Sequence, residues 1–193
     1  MILRILATMI INLAGWRTEG AFPSINKAVV IVGPHTSFFD FFLGRLFYWK
    51  MGYKATILIK SKYFFWPMGA ILRASGGLPV YYSTHGQFLK SVVGQFSKQT
   101  NMFLTITPEG TRKPVKRWKT GFYHIAMASD VPILMTWVDY KHKIMGIKGL
   151  FRTTDNAERD LLAIQSFYKA EWAKHPELFY EIPDADKVKG EWY

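Results

Sequence analysis

The 193-residue chain is 49% hydrophobic and 17% aromatic, which excludes a disordered polymer and suits one domain with a sizeable core. It has no cysteine, which removes disulfides, thiolate metal sites and thiol nucleophiles together and fits a reducing compartment. The net charge of +11 is uneven, with 19 Lys and Arg against 5 Asp and Glu in residues 1–150 and 6 against 9 in residues 151–193, so a basic body faces anionic partners: nucleic acid, lipid headgroups or a phosphorylated substrate.

Residues 1–16 read MILRILATMIINLAGW, and their longest uncharged run is twelve residues. A spanning helix needs roughly 20. Arg4, Thr8, Asn12 and Gly15 repeat at helical spacing, while Ile2, Leu6, Met9, Leu13 and Trp16 line another face. The pattern predicts an amphipathic helix that lies in a membrane interface or docks on the protein's own core. The basic body that follows favours the membrane. Strands are expected at 28–33 (AVVIVG), 55–60, 77–82, 102–107 (MFLTIT), 131–138 and 143–148. Helices are expected at 38–51, 63–74 with a bend or boundary at Pro67, 85–98, 118–129 and 156–174, before a polar, irregular tail. Strands alternating with helices indicate an α/β domain with a mixed, largely parallel sheet flanked by helices. The N-terminal segment 1–16 is expected to be the interface helix and residues 17–193 the single α/β domain.

In such sheets ligands gather beyond the carboxyl ends of strands. Two chemically equipped segments stand there. The first is Gly33-Pro34-His35-Thr36-Ser37-Phe38-Phe39-Asp40. A histidine can take a proton near neutral pH and works best when a carboxylate fixes its tautomer. A spacing of five diverges by about 140° on one helix, so the pair can meet only if His35 precedes the helix. Ser37-x-x-Asp40 reads as a capping box that supplies this bend. His85, His124, His142 and His175 show no similarly placed carboxylate after a strand.

The second segment is Pro108-Glu109-Gly110-Thr111-Arg112, followed by Lys113, Lys116, Arg117 and Lys119. Gly110 permits close approach, Thr111 offers a hydroxyl, and Arg112 a fork suited to phosphate or carboxylate. Glu109 is expected to orient Arg112 or a neighbouring cation, or to accept from a substrate hydroxyl. No P-loop or Gly-x-Gly-x-x-Gly pattern occurs, and no Gly-x-Ser-x-Gly elbow. The aromatic stretches Phe38, Phe39, Phe41, Phe42 and Tyr63, Phe64, Phe65, Trp66 are expected to be core, with the wall of an apolar groove as the other reading.

Together these segments resemble the glycerolipid acyltransferase superfamily, which contains the lysophosphatidic acid (1-acylglycerol-3-phosphate) acyltransferases. His35-x4-Asp40 matches its catalytic block, Pro108–Arg112 its acceptor-phosphate block, and Val131-Pro132-Ile133 its later Val-Pro-Ile block. About seventy and about twenty residues separate the blocks in turn. The resemblance covers roughly residues 20–150 and is that of a short, single-domain, bacterial-type member. One block departs: Tyr82 stands where the family usually has an Arg toward acceptor phosphate. Lys60, Lys62, Arg73 or the basic stretch after Arg112 are the candidates to compensate.

The resemblance implies an O-acyltransferase with a glycerol-3-phosphate acyltransferase-like fold. His35, held by Asp40, would be the catalytic base for attack of a lysophospholipid hydroxyl, such as that of lysophosphatidic acid, on an acyl thioester. Glu109, Gly110, Thr111, Arg112, Lys113 and Lys119 are the expected substrate-binding residues. Backbone N–H groups near His35 or Ser37 are candidate oxyanion donors. No metal or cofactor is implied beyond acyl-CoA or acyl-carrier protein as donor substrate. The expected place is peripheral or monotopic on the cytoplasmic face of the inner membrane, against an anionic surface. Nucleic acid is not expected as a partner, since no recognition motif for it occurs. The alternatives are the same chemistry on another lysolipid, for example a lyso-amino-acid lipid, or a non-catalytic basic membrane-binding module.

Overall fold

Alternating side chains on the central strands divide the interior into two cores. Ala28 and Val30 face one side of the sheet, Val29 and Ile31 the other, and all four are at most 1% exposed. Strands buried on both faces need helices on both faces, which is why they read as near-continuous apolar runs. In the computed structural model, which describes residues 2–80 and 85–193, one sheet runs through both cores. Its strands are β1 (Arg17–Glu19), β2 (Lys27–Gly33), β3 (Ala55–Lys60), β4 (Gly77–Val80), β5 (Met102–Ile106), β6 (Ile133–Asp139) and β7 (Ile144–Phe151). Among the described residues they form a seven-stranded sheet in the order β1-β7-β6-β2-β5-β3-β4. Only the β6–β7 pair is antiparallel among the recorded pairings.

The helices are α1 (Ile2–Leu13), α2 (Phe39–Met51), α3 (Met68–Ala74), α4 (His85–Lys98), α5 (Gly121–Ala128) and α6 (Ala157–Ser166). α1 and α2 supply Ile11, Phe47 and Tyr48 to the core of Ala28 and Val30. α4, α5 and α6 supply Val92, Phe96, Phe122, Ile125 and Ile164 to the opposite core. The chain leaves β2 through α2 toward β3 and leaves β5 through α5 toward β6. β2 and β5 are parallel neighbours, paired from Lys27 with Met102 to Ile31 with Ile106. Their outgoing helices therefore part to opposite faces and open a crevice at the carboxyl ends of these two strands. The two motif loops begin there.

The expected α/β fold is thus present, with local differences. β1 is a three-residue edge strand, too short to carry a periodic signal. The helix expected over 63–74 splits: a 3-10 turn covers Ser61–Tyr63, and α3 starts after Pro67, so the proline is a boundary. α5 starts at Gly121 rather than at 118, because Trp118 is already committed to the core at 8% exposure. α6 starts where the Asn156 side chain accepts the Arg159 N–H. It ends at Ser166, before Tyr168 turns fully inward and donates its hydroxyl to the Thr136 carbonyl. Gly33 makes room for that ring, since a Cβ there would lie 2.9 Å from it. The tail is irregular but anchored: Phe179 and Ile182 are buried, and Tyr193 exchanges two backbone hydrogen bonds with Leu150. The expected strand 77–82 ends at Val80, and Tyr81 and Tyr82 lie outside the described residues.

The structure places the apolar segments and corrects one expectation about them. α1 docks on the protein through Ala7 and Ile11, each 1% exposed, while Ile2, Leu6, Met9 and Leu13 remain exposed. The aromatic stretches are not core. Phe38, Phe39, Phe41 and Phe42 are 48–62% exposed, and Trp66 is 87% exposed. Among the described residues, no helix is long and apolar enough to cross a membrane.

Candidate active site

His35 lies in the loop between β2 and α2, and Asp40 lies in the first turn of α2. This is the arrangement that their spacing demands. Asp40 is 5% exposed, and its carboxylate is surrounded by donors. Oδ2 lies 2.9 Å from His35 Nδ1 and accepts the N–H groups of Thr36 and Ser37 at 3.0 Å each. Oδ1 accepts the Tyr140 hydroxyl at 2.6 Å. The bond from Ser37 N–H is the carboxylate half of the expected capping box. The hydroxyl half is displaced by one residue, since Ser37 Oγ accepts from Phe39 N–H. With Nδ1 engaged, Nε2 is the imidazole nitrogen left for a substrate.

Tyr140 had no signal in the sequence. It follows β6 directly and reaches Asp40 across 100 residues. Burial, and then the bond to the Asp40 carboxylate, push its phenol far above the usual range, so it stays protonated and donates. Trp16, just after α1, packs edge-on against its ring at 5.2 Å.

Glu109 departs from its expected role. It is 3% exposed, and its Oε1 accepts the His35 N–H at 2.8 Å. It turns inward to the backbone of the first loop rather than outward to Arg112. Burial raises its carboxyl to about 8, assisted by the nearby Asp40 charge and opposed by the His35 N–H. Near neutral pH it is therefore largely an uncharged acceptor. The candidate oxyanion donors are also spoken for: the His35 N–H points to Glu109, and those of Thr36 and Ser37 point to Asp40.

A cleft of about 330 Å³ lies between α2 and strands β2, β3 and β5. His35 and Asp40 line one end, with Phe38 and Phe41 beside them. Tyr48 and Thr105 lie within it, their hydroxyls 2.7 Å apart. Arg112 also lines it, and so does Arg45. Gly110 turns with φ +64°, and the Lys119 side chain folds over it. The Thr111 hydroxyl accepts the Lys113 N–H. Lys113 and Lys119 are exposed beside the loop and do not line the cleft. Of the substrate-binding candidates, Arg112 is the one that lines this cleft.

Two other histidines also lie near carboxylates: His175 Nδ1 is 3.7 Å from Glu177 Oε1, and the second pair is closer. His142 Nδ1 lies 2.7 Å from Asp139 Oδ2 in the β6–β7 turn. This carboxylate precedes its histidine, whereas Asp40 follows His35. The pair lies outside the cleft lining. Among the described residues, no three His, Asp or Glu side chains converge as a metal-ligand set.

An acyltransferase family model matches residues 16–139, more than half of the chain. The chain belongs to that family and is an acyltransferase. A solved structure titled as the 1-acyl-sn-glycerophosphate (LPA) acyltransferase PlsC from Thermotoga maritima shares its fold, with a TM-score of 0.56 and 14% identity over 83% of this chain and 72% of that one. No curated protein sequence matches.

The buried Glu109 sets a pH dependence. Folded, it holds its proton to about pH 8; its ordinary value is 4.5. Between these values the folded chain binds more protons than the unfolded one, so stability falls as pH rises through this window. The amide oxygen of Glu109→Gln can still accept the His35 N–H. The thermal midpoint of this variant should therefore rise relative to the native protein from pH 5 to pH 8. Parallel midpoint curves would contradict the assignment.

Proposed function

We propose that this acyltransferase moves a fatty acyl group from an acyl thioester to the hydroxyl of a lysophospholipid, with His35 as general base held by Asp40. The observation that carries the reading is the His35 Nδ1–Asp40 Oδ2 contact of 2.9 Å in a cleft that also presents Arg112. His35 Nε2 takes the acceptor's hydroxyl proton as its oxygen attacks the thioester carbonyl carbon. The tetrahedral intermediate collapses with cleavage of the C–S bond. The imidazolium returns the proton to the departing thiolate, which leaves as a thiol. General-base assistance of this kind contributes roughly 10²–10⁴-fold. Asp40 stabilises the imidazolium and fixes the tautomer. Arg112 holds the anionic headgroup, with Gly110 and Thr111 shaping its loop.

The donor is an acyl-CoA or an acyl-carrier protein, and the reaction as proposed uses no metal or organic cofactor. Lysophosphatidic acid is the acceptor of first choice. Tyr140 is a positioning residue: it touches Asp40, not the substrate, and keeps the carboxylate turned to His35.

Membrane association is part of the proposal. Phe38 and Phe41 both line the cleft and stand exposed at its mouth. α1 packs beside α2 and presents Ile2, Leu6, Met9 and Leu13 outward. An apolar surface at the cleft mouth supports docking on an anionic bilayer, from which a single-chain lipid could enter without crossing water.

Labelled acyl thioester and a panel of lysolipids test the reaction by lipid extraction. A labelled diacyl product is expected from the native protein, and a loss of about 10²-fold or more with His35→Ala. Product formation by His35→Ala at the native rate would refute the base. Tyr140→Phe should lower kcat about tenfold with little change in KM. An unchanged kcat would reduce Tyr140 to a packing role. The double variant Leu6→Glu/Leu13→Glu should weaken binding to anionic vesicles at least about tenfold while turnover of a short-chain, water-soluble acceptor persists. Unchanged vesicle binding would remove α1 from the docking surface.

A further inference from the structure

The segment from the end of β3 into α3 carries five large apolar side chains that the fold leaves in water. Tyr63, Phe65, Trp66, Met68 and Ile71 are all exposed, Trp66 most of all. Gly69 lets the first turn of α3 close on the Phe64 carbonyl, where a Cβ would lie 2.7 Å from the oxygen, so these side chains stand on a closely packed backbone. A cluster of this kind marks an interaction surface rather than scattered exposure.

Its place in the fold relates it to the cleft. β3 runs parallel to β5, and β5 to β2, so β3 ends at the sheet edge where the loops of His35 and Arg112 emerge. The connection from β3 to β4 through α3 runs the same way along the sheet as that from β2 to β3 through α2. Parallel connections are right-handed, which puts both helices on one face. A Cβ on Gly76, two residues after α3, would accordingly lie 3.6 Å from a guanidinium nitrogen of Arg45 on α2. On this face α1 packs against α2, and α3 packs against β4 at the far edge of the sheet. The apolar surface therefore continues past the exposed Phe38 and Phe41 at the cleft mouth.

Charge selects the occupant. Residues 41–108 contain eight Lys and Arg and no Asp or Glu. Lys62 and Arg73 flank the cluster, exposed, over the Tyr63 and Phe64 rings at 5.1 and 5.2 Å from the centroids. A second copy of the chain would bring the same cations against these, without acids from this stretch to pair them. An anionic bilayer matches both chemistries, since it takes Trp and Tyr at headgroup level, aliphatic side chains below it and cations at the phosphates.

We propose that the β3–α3 segment, led by Trp66, is a second membrane-docking element, which enters one leaflet of an anionic bilayer across the cleft from α1. This rests on the membrane reading of α1 and the cleft mouth, and it adds an orientation. Docking through α1 alone leaves the domain free to turn about that helix. A second contact holds the cleft mouth on the lipid surface, and the two contacts reinforce each other as linked sites do.

Sedimentation of the full chain with vesicles of mixed phosphatidylcholine and phosphatidylglycerol tests the assignment. Trp66→Glu/Ile71→Glu should weaken binding at least about tenfold, keep the native thermal midpoint and leave turnover of a short-chain, water-soluble acceptor unchanged. Vesicles whose acyl chains carry bromine should quench the native fluorescence, and Trp66→Phe should lose part of that quenching. Native vesicle affinity in the double variant overturns the proposal, as does equal quenching of the native protein and Trp66→Phe. Equal binding to vesicles of phosphatidylcholine alone overturns it too, and so does a dimer in lipid-free solution that the double variant abolishes. Loss of binding in Leu6→Glu/Leu13→Glu but not in Trp66→Glu/Ile71→Glu sinks this element and leaves α1 as the anchor. Loss in neither refutes the membrane reading as well.

Discussion

The site depends on one buried anion. Asp40 is 5% exposed, and an unpaired carboxylate in that position would cost far more than the fold could absorb. The cost is met because His35, Thr36, Ser37 and Tyr140 all direct polar hydrogens to it. These donors come from the loop after β2 and from the end of β6, which are adjacent in the sheet. The tail contributes as well: the Tyr140 N–H donates to the Trp172 carbonyl, and the His175 N–H to the Thr36 hydroxyl. The loop that carries His35 is thereby fixed from three directions, and the imidazole keeps one nitrogen free of Asp40.

Glu109 joins the two motif loops into one unit. Its carboxyl receives the His35 N–H, so the loop that presents Arg112 also holds the His35 backbone in place. Both loops leave neighbouring parallel strands at the point where the connections part to opposite faces. Blocks far apart in sequence become adjacent because parallel pairing brings the carboxyl ends of β2 and β5 side by side. Glu109 sits close to the Asp40 charge and is buried, which favours its neutral form and spares the site a second anion.

The fold class was legible in the sequence because strands buried on both faces leave long apolar runs, as at 28–33 and 102–107. The His35–Asp40 contact was legible because five residues restrict how two side chains can meet. Contacts between distant segments were not. Tyr140 on Asp40 spans 100 residues. Glu109 was legible as a residue of the second motif, but its partner depends on strand pairing. The aromatic stretches misled because composition reports apolarity without reporting which side faces solvent. Phe38 and Phe41 line the cleft, and with Phe39 and Phe42 they stand exposed instead of filling the interior.

The central claim is that Asp40 holds His35 with its proton on Nδ1 and its basic nitrogen, Nε2, toward the cleft. Nitrogen-15 NMR of the His35 side chain reads this state directly, with Asp40→Asn as the reference. The account predicts that neutral His35 carries its proton on Nδ1 in the native protein, and that this preference weakens in Asp40→Asn. A native His35 protonated on Nε2 would leave no base facing the acceptor and would contradict the account.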